Sequence, residues 1–351
     1  MSQTTDTLII GQGIAGSLLA MQLNRMKHDF LVVDSPDQPK SSLVAAGLIN
    51  PVIFRYLTLS WELERNLQAA KGCYAELSRF FGTKFFHPQP ILRIFGANEY
   101  ELWKRKSALP PFDTLLQPDT YEKYFDHYLA APYGVGLIHK GGWLQMAELV
   151  KQIHAFLIQN NRLIQEDFEH KAVVVKEDGI RYKAIEARQI VFCEGAAALS
   201  NPYFDFIPFR PVKGELLTVK IPGMSDDHII NKDIYLLPVG DEMFRCGSTF
   251  DWDDLSYQPT YKARAFLEEK LREFLRLPYE VIHHQVGIRP AIADRRPVCG
   301  QHPVHNRLWI LNGLGAKAAL LTPFLVNELV AQLVEHKSPD AAIDPVRFWK
   351  A

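Results

Sequence analysis

"DTLIIGQGIAG" (residues 6–16), followed at 30–34 by "FLVVD", is the stretch that decides the fold. The apolar run before Gly11 predicts a short buried strand. Apolar spacing from Ile14 to Met26 predicts a helix, and FLVVD predicts a second buried strand. Together they make one βαβ unit of a parallel sheet with a right-handed crossover. Gly11 permits the tight turn, Gly13 lets backbone approach a pyrophosphate, and Gly16 lets helix and strand pack closely. Ile14 and Ala15 open the helix, whose N-terminus faces the anion. Asp34 comes 18 residues after Gly16, at the end of the second strand, where a carboxylate accepts hydrogen bonds from ribose hydroxyls. Its charge also disfavours a 2′-phosphate, and with it NADP. The turn by itself suits NAD and FAD equally.

The rest of the chain narrows that choice. At 351 residues the chain is long for one core, so two domains are expected. A net charge of −1 weighs against affinity built on neutralising many phosphates. The basic triplet Lys104-Arg105-Lys106 reads as a solvated turn or helix end. Cys73, Cys193, Cys246 and Cys299 are scattered without a C-x-x-C pair, which suits reduced thiols in the cytoplasm and offers no metal site. The adjacent His283 and His284 would point to opposite faces of a strand and make a poor chelating pair. The first residues lack the pattern of a signal peptide. No apolar run is expected to reach the ~20 residues of a membrane helix.

After Asp34 the pattern leaves the NAD template. In place of a prompt helix and strand comes "SSLVAAGLINP" (41–51), then an amphipathic helix over about 61–81. "KGELLTVKI" (213–221), and "IYLLPV" with "MFRCGSTF" around the turn "GDE", predict antiparallel strands and a hairpin. A further amphipathic helix is expected over 261–275. A second strand, glycine turn and long helix follow Arg307, which predicts that the C-terminus returns to the nucleotide domain. The expected class is α/β (α+β overall): a Rossmann-type domain with a parallel sheet, plus a mainly antiparallel substrate domain.

With these segments placed, the chain resembles the D-amino-acid oxidase superfamily of FAD enzymes, on its glycine oxidase and sarcosine oxidase side. The likeness rests on "IIGQGIAG…VVD", "SSLVAAG", "GGWLQMAELVKQI", "IVFCEGAAA", "RPVKGELL", "GIRPAIADRRPVCG", "LNGLGAKAALLTP" and "DPVRF", in that order over nearly the whole length. The segment "GLGAKAALLTP" is most similar to the oxidase half of the bifunctional enzyme that modifies the tRNA wobble uridine. The resemblance implies noncovalent FAD in a discontinuous domain of residues 1–82, 140–205 and 284–351, with a substrate domain of 83–139 and 206–283. By position it adds Ser35 to Asp34 as cofactor-binding, places Ser41 and Ser42 near the pyrophosphate, and sets Ala46, Gly47 and Leu48 along the isoalloxazine. The backbone at Ala172 would contact adenine, and Cys193 and Gly195 would flank the pyrophosphate. Gly313, Gly315, Ala316 and Lys317 would form the C-terminal turn at the flavin. Glu194, where the family carries a small polar residue, and Ala318, where it often carries glycine, are departures. Cys299 is not at the flavin-linking position of sarcosine oxidases and is expected to be buried filler.

The chemistry so implied is oxidation of a carbon–nitrogen bond in a small amino acid or secondary amine, with hydride passing to flavin N5. No acid–base triad is needed. An amino-acid substrate does need a cation for its carboxylate, and Arg289 in "GIRP" stands where the family places one. Lys317, at a helix start beside the flavin's pyrimidine edge, would add to the positive helix end. Tyr235 and Phe250 are expected as pocket walls on central strands, while Arg295 and Arg296 read as structural. Two alternatives stay open. One is an oxidase of a modified wobble base in tRNA, against which the near-neutral charge weighs. The other is a flavin-binding protein without turnover.

Overall fold

The computed structural model describes residues 3–118, 125 and 127–350. Strand β1 (Gln3–Ile10), helix α1 (Ile14–Arg25) and strand β2 (Phe30–Asp34) form the expected opening unit. Every residue of β2 is buried, as a parallel strand covered on both faces requires. Around it the parallel strands run in the order Leu163–Gln165, β2, β1, Ile185–Phe192 and Leu308–Asn312. Antiparallel strands complete the sheet: Val173–Val175 and Ile180–Tyr182 at one end, and Val298–Gln301 against Leu308–Asn312. The C-terminal segment thus returns to the first sheet, as its strand–glycine–helix pattern predicts.

The second large sheet is antiparallel except where Ile229–Asn231 pairs with Ile91–Ile94. At its centre Val212–Lys220 lies between Met243–Gly247 and Glu280–Arg289. The position between residues 283 and 284 falls inside Glu280–Arg289, which pairs along its length with Val212–Lys220. Leu48–Ile49, Gly142–Leu144 and Phe86–Pro88 form a separate small antiparallel sheet.

Helix Leu63–Phe81 buries Leu63, Asn66, Leu67, Ala70, Tyr74 and Leu77, a stripe at three- and four-residue spacing that faces the core. Gly82, left-handed at φ 67°, ends it. The last helix, Ala318–Glu335, packs on both α1 and Leu63–Phe81. With the preceding turn it forms a 21-residue apolar stretch, Gly315–Glu335, long enough to cross a membrane. This corrects the expectation that no apolar run reaches that length. Its hydrophobicity is used internally, since 67% of its most apolar 18 residues are buried within the protein.

Candidate functional site

The site begins where β1 ends. Gly11 adopts φ 94°, and a Cβ there would lie 2.6 Å from the Cys193 carbonyl oxygen. Only glycine lets the turn pass so close to the neighbouring strand. Helix α1 starts at Gly13 with no side-chain cap of its own and no acid in its first turn. Its unpaired N–H groups therefore need an outside acceptor. The Ser42 hydroxyl supplies one, accepting from Ile14 N at 3.0 Å. Asp34 is buried: Oδ1 accepts from Gln12 N at 2.7 Å, and Oδ2 lies 3.0 Å from Lys40 Nζ. Gln12 and Lys40 had no signal in the glycine pattern. The Gln12 side chain donates to Ser17 Oγ and the Val150 carbonyl, tying the turn to helix Met146–Gln159.

From this turn a cleft of about 370 Å³ runs to the C-terminal turn. Gly11, Gly13, Ile14, Ala15 and Asp34 line its first part, and Ser41, Ser42, Ala46, Gly47 and Leu48 its middle. Cys193 and Gly195 face them, and Gly315, Ala316 and Lys317 close the far end. Four residues expected at the cofactor are not among those that line the cleft. Gly16 sits under the turn, where a Cβ would overlap the Gly11 carbonyl. Gly313 is packed on Ile292, Ser35 accepts from Gln38 N at its hydroxyl and Lys40 at its carbonyl, and Ala172 closes the turn His170–Ala172.

The substrate end has a floor almost without side chains. Gly214 opposes Gly287 in register, Gly247 opposes Leu216 one strand away, and all four face the cleft. Arg289 lies over this floor. Its Nη1 donates to the Thr249 carbonyl at 3.1 Å, its Nη2 donates to Ser248 Oγ at 2.6 Å, and its guanidinium stacks 4.4 Å from the Phe250 ring. A Cβ at Gly214 would sit 2.5 Å from Nη1 and closer still to Cζ and Nη2. Burial lowers the Arg289 pKa, opposed by the neighbouring Tyr235. Burial pushes the Tyr235 hydroxyl up to about 12, which keeps it a neutral donor. Phe250 lines the cleft but is not on a strand: the strand Met243–Gly247 stops three residues earlier.

Lys317 points inward. Its Nζ donates to Ser60 Oγ, and desolvation by burial lowers its pKa to about 8. Ser60, which nothing in the local sequence marked, is itself buried and donates to the Asn50 carbonyl. Glu194 spends both carboxylate oxygens locally, on His170 Nε2 and Asn201 Nδ2, each at 2.7 Å. Cys299 lies in strand Val298–Gln301, its thiol donating to the Leu325 carbonyl. Burial raises the pKa of all four thiols, Cys73, Cys193, Cys246 and Cys299. An uncapped helix start for an anion, a buried carboxylate at a strand end for a ribose, and one continuous cleft onward to Lys317 together fit a dinucleotide that carries a flavin.

A family model described as "FAD dependent oxidoreductase" matches residues 6–333. The tRNA 5-methylaminomethyl-2-thiouridine biosynthesis bifunctional protein MnmC of Marinobacter nauticus is 22% identical, covering 95% of this chain and 56% of that protein. The chain thus spans about half the length of this relative. The glycine oxidase of Bacillus licheniformis is 25% identical and covers 95% of this chain and 94% of its own. Among solved structures, glycine oxidase from Geobacillus kaustophilus superposes with a TM-score of 0.81 at 19% identity, over 99% of this chain and 98% of that one.

Proposed function

The chain belongs to the family of FAD-dependent oxidoreductases, and we propose that it oxidises the carbon–nitrogen bond of a small amino acid or a carboxylate-bearing secondary amine. The observation that carries this reading is Arg289, a buried guanidinium over a glycine floor in the cleft that starts at the nucleotide turn. FAD, when bound, supplies the two-electron oxidation by accepting hydride from the carbon next to nitrogen. The remaining work is orientation and charge. Gly11, Gly13, Ile14 and Ala15 would hold the pyrophosphate, and Asp34 would hold the ribose. Arg289 has N–H groups beyond those given to Ser248 and Thr249, and a planar guanidinium grips a carboxylate with two parallel bonds. The neutral Tyr235 hydroxyl lines the same space and would donate a further bond to the substrate. Phe250 and Tyr257 line the same end of the cleft. Lys317 holds a positive charge at the C-terminal turn.

We place FAD in the cleft noncovalently: the Cys299 thiol is engaged within the sheet, and burial keeps the Cys193 thiol protonated. Four free thiols suit a reducing compartment, and we assign the protein to the cytoplasm. We place the cofactor domain in residues 1–82, 140–205 and the segment after Pro290, so that the whole strand Glu280–Arg289 belongs to the substrate domain. A second reading, an oxidase of a modified tRNA wobble base, draws on Phe250 and Trp252, which are 56% and 61% exposed and stack at 6.3 Å. Asp251 and Asp253 on the same loop oppose a phosphate backbone. Anaerobic titration of the yellow holoenzyme with a panel of amines, amino acids and tRNA tests both. The proposal expects amino acids to bleach the flavin absorbance. Bleaching by modified tRNA alone would select the second reading, and no bleaching at all would leave a flavin-binding protein without turnover.

A further inference from the structure

Three consecutive residues, Lys213, Gly214 and Glu215, divide their work between the two faces of one strand. Gly214 faces the cleft under Arg289, so its neighbours point to the opposite face. There Lys213 is 0% and Glu215 2% exposed. Burying two charges is costly unless every donor and lone pair is used. Here the lysine's donors are all used and both carboxylate oxygens accept, almost entirely on one loop. Lys213 Nζ donates to Asp254 Oδ2 at 2.5 Å, the Gln258 carbonyl at 2.7 Å and Ser256 Oγ at 3.2 Å, which exhausts its three protons. The Glu215 carboxylate accepts from Thr260 N at 2.8 Å and Thr260 Oγ1 at 2.9 Å, and lies 2.8 Å from His284 Nε2.

The backbone of the same two residues continues the grip. Lys213 and Asp251 exchange N–H···O bonds of 2.8 and 3.0 Å. Thr249 N donates to the Glu215 carbonyl at 3.1 Å, and Glu215 N donates to Thr249 Oγ1 at 2.9 Å. The segment 248–260 has no helix or strand of its own, yet it is held at 249, 251, 254, 256, 258 and 260 from these two positions. It is also the segment that aligns Arg289, through Ser248 Oγ, the Thr249 carbonyl and the Phe250 ring. Tyr257, in its middle, faces the cleft. The hydrogen bond from Lys213 is the main reason the Asp254 carboxyl is held down at about 2.

We infer that Lys213 and Glu215 are positioning residues for the substrate carboxylate: from the back of the sheet they clamp the 248–260 loop, and the loop holds Arg289 in its two-pronged orientation. The inference rests on the reading of Arg289 given above. The test uses the FAD holoenzyme and glycolate, a carboxylate without an amine, titrated by the change in flavin absorbance. Lys213→Met should weaken glycolate about tenfold to a hundredfold and raise KM for the reducing amino acid, with kcat far less affected. FAD content should be unchanged, and chymotryptic cleavage after Trp252 should be faster. Should Lys213→Met fail to fold, Asp254→Asn, which loosens the same clamp from its half-exposed outer end, should weaken glycolate and speed cleavage in the same sense. Arg289→Lys is the reference. If it leaves glycolate binding unaltered, or the unmodified holoenzyme binds none, the reading of Arg289 fails. If Arg289→Lys weakens glycolate while the clamp variants change neither affinity nor cleavage, the clamp inference fails on its own.

Discussion

Replacing Gly214 with alanine adds one methyl group at the point where the strand passes under Arg289. That methyl would fall 2.5 Å from Nη1 and nearer to Cζ and Nη2. Ordinary contact needs roughly 3.5 Å, so the guanidinium has to retreat by about 1 Å. The strand need not move, because its pairing with Gly287 uses backbone alone and the clashing group is the end of a long side chain. The cost to the fold should stay within about 1–3 kcal/mol. The cost to the site is larger. The Ser248 bond, now 2.6 Å, and the Thr249 bond, now 3.1 Å, cannot both survive the shift, and a bond from a charged donor is worth about 1.5–3 kcal/mol. A 1 Å misplacement of an orienting group costs on the order of 100-fold. Gly214→Ala should therefore keep FAD and its spectrum, melt cooperatively, and lose about 100-fold in kcat/KM for an amino acid. The assay is steady-state turnover beside a glycolate titration. Wild-type KM and wild-type glycolate affinity in this variant would refute the placement of the carboxylate at Arg289.

Asp34→Ala removes a buried carboxylate and the ion pair with Lys40; FAD affinity should fall about tenfold to a hundredfold, and retention of FAD through dialysis equal to the unmodified protein would contradict the ribose assignment. Arg289→Lys keeps charge and loses the fork, so an amino-acid substrate should bind far more weakly with the flavin spectrum unchanged; equal affinity would return Arg289 to a structural role. Lys317→Met should lower the flavin midpoint potential by roughly 30 mV, the equivalent of about 1.4 kcal/mol for two electrons, as read by dye-coupled titration. In the cofactor-free protein Lys317 also sets a pH dependence. Its folded pKa of about 8 lies below the ordinary 10.5, so between these values the unfolded chain binds more protons and stability rises with pH. The gain, at most about 3 kcal/mol, should be absent from Lys317→Met in urea melts at pH 7 and pH 10.

The opening βαβ unit was legible because its evidence is local: glycines at fixed offsets, an all-buried FLVVD, and an acid on time. The hairpin Tyr235–Gly240 and Met243–Gly247 and helix Leu63–Phe81 were readable for the same reason. What escaped is set by partners far along the chain. Lys317 was as readily a solvent-facing residue until Ser60, 257 positions earlier, took its ammonium. Phe250 extends the alternation of "MFRCGSTF", but the strand ends at Gly247 and the chain turns to bridge Lys213 through Asp251. The roles of Lys213 and Glu215 depend on residues 34 to 45 positions away, which no periodicity encodes. Gly16 packs helix on strand as its place in the motif predicts, while Gly313, Ser35 and Ala172 have local packing and turn contacts that the motifs did not show.

The parallel sheet is threaded out of order, and that has a bearing on how the protein is made. Its five parallel strands come from residues 163–165, 30–34, 3–10, 185–192 and 308–312 in spatial sequence. The last of these carries the turn that completes the cleft. A ribosome has therefore delivered the first strand some three hundred residues before the far wall of the site exists. Until then the edge of Ile185–Phe192 that will receive Leu308–Asn312 stands open, the kind of unpaired edge that invites association. Capture of FAD in this cleft should therefore wait until Leu308–Asn312 and the turn after it have joined the sheet. A fragment ending at residue 305 should be colourless with FAD present and prone to aggregate, and a separately supplied 306–351 peptide that restores the yellow colour would measure how much of the delay is topology alone.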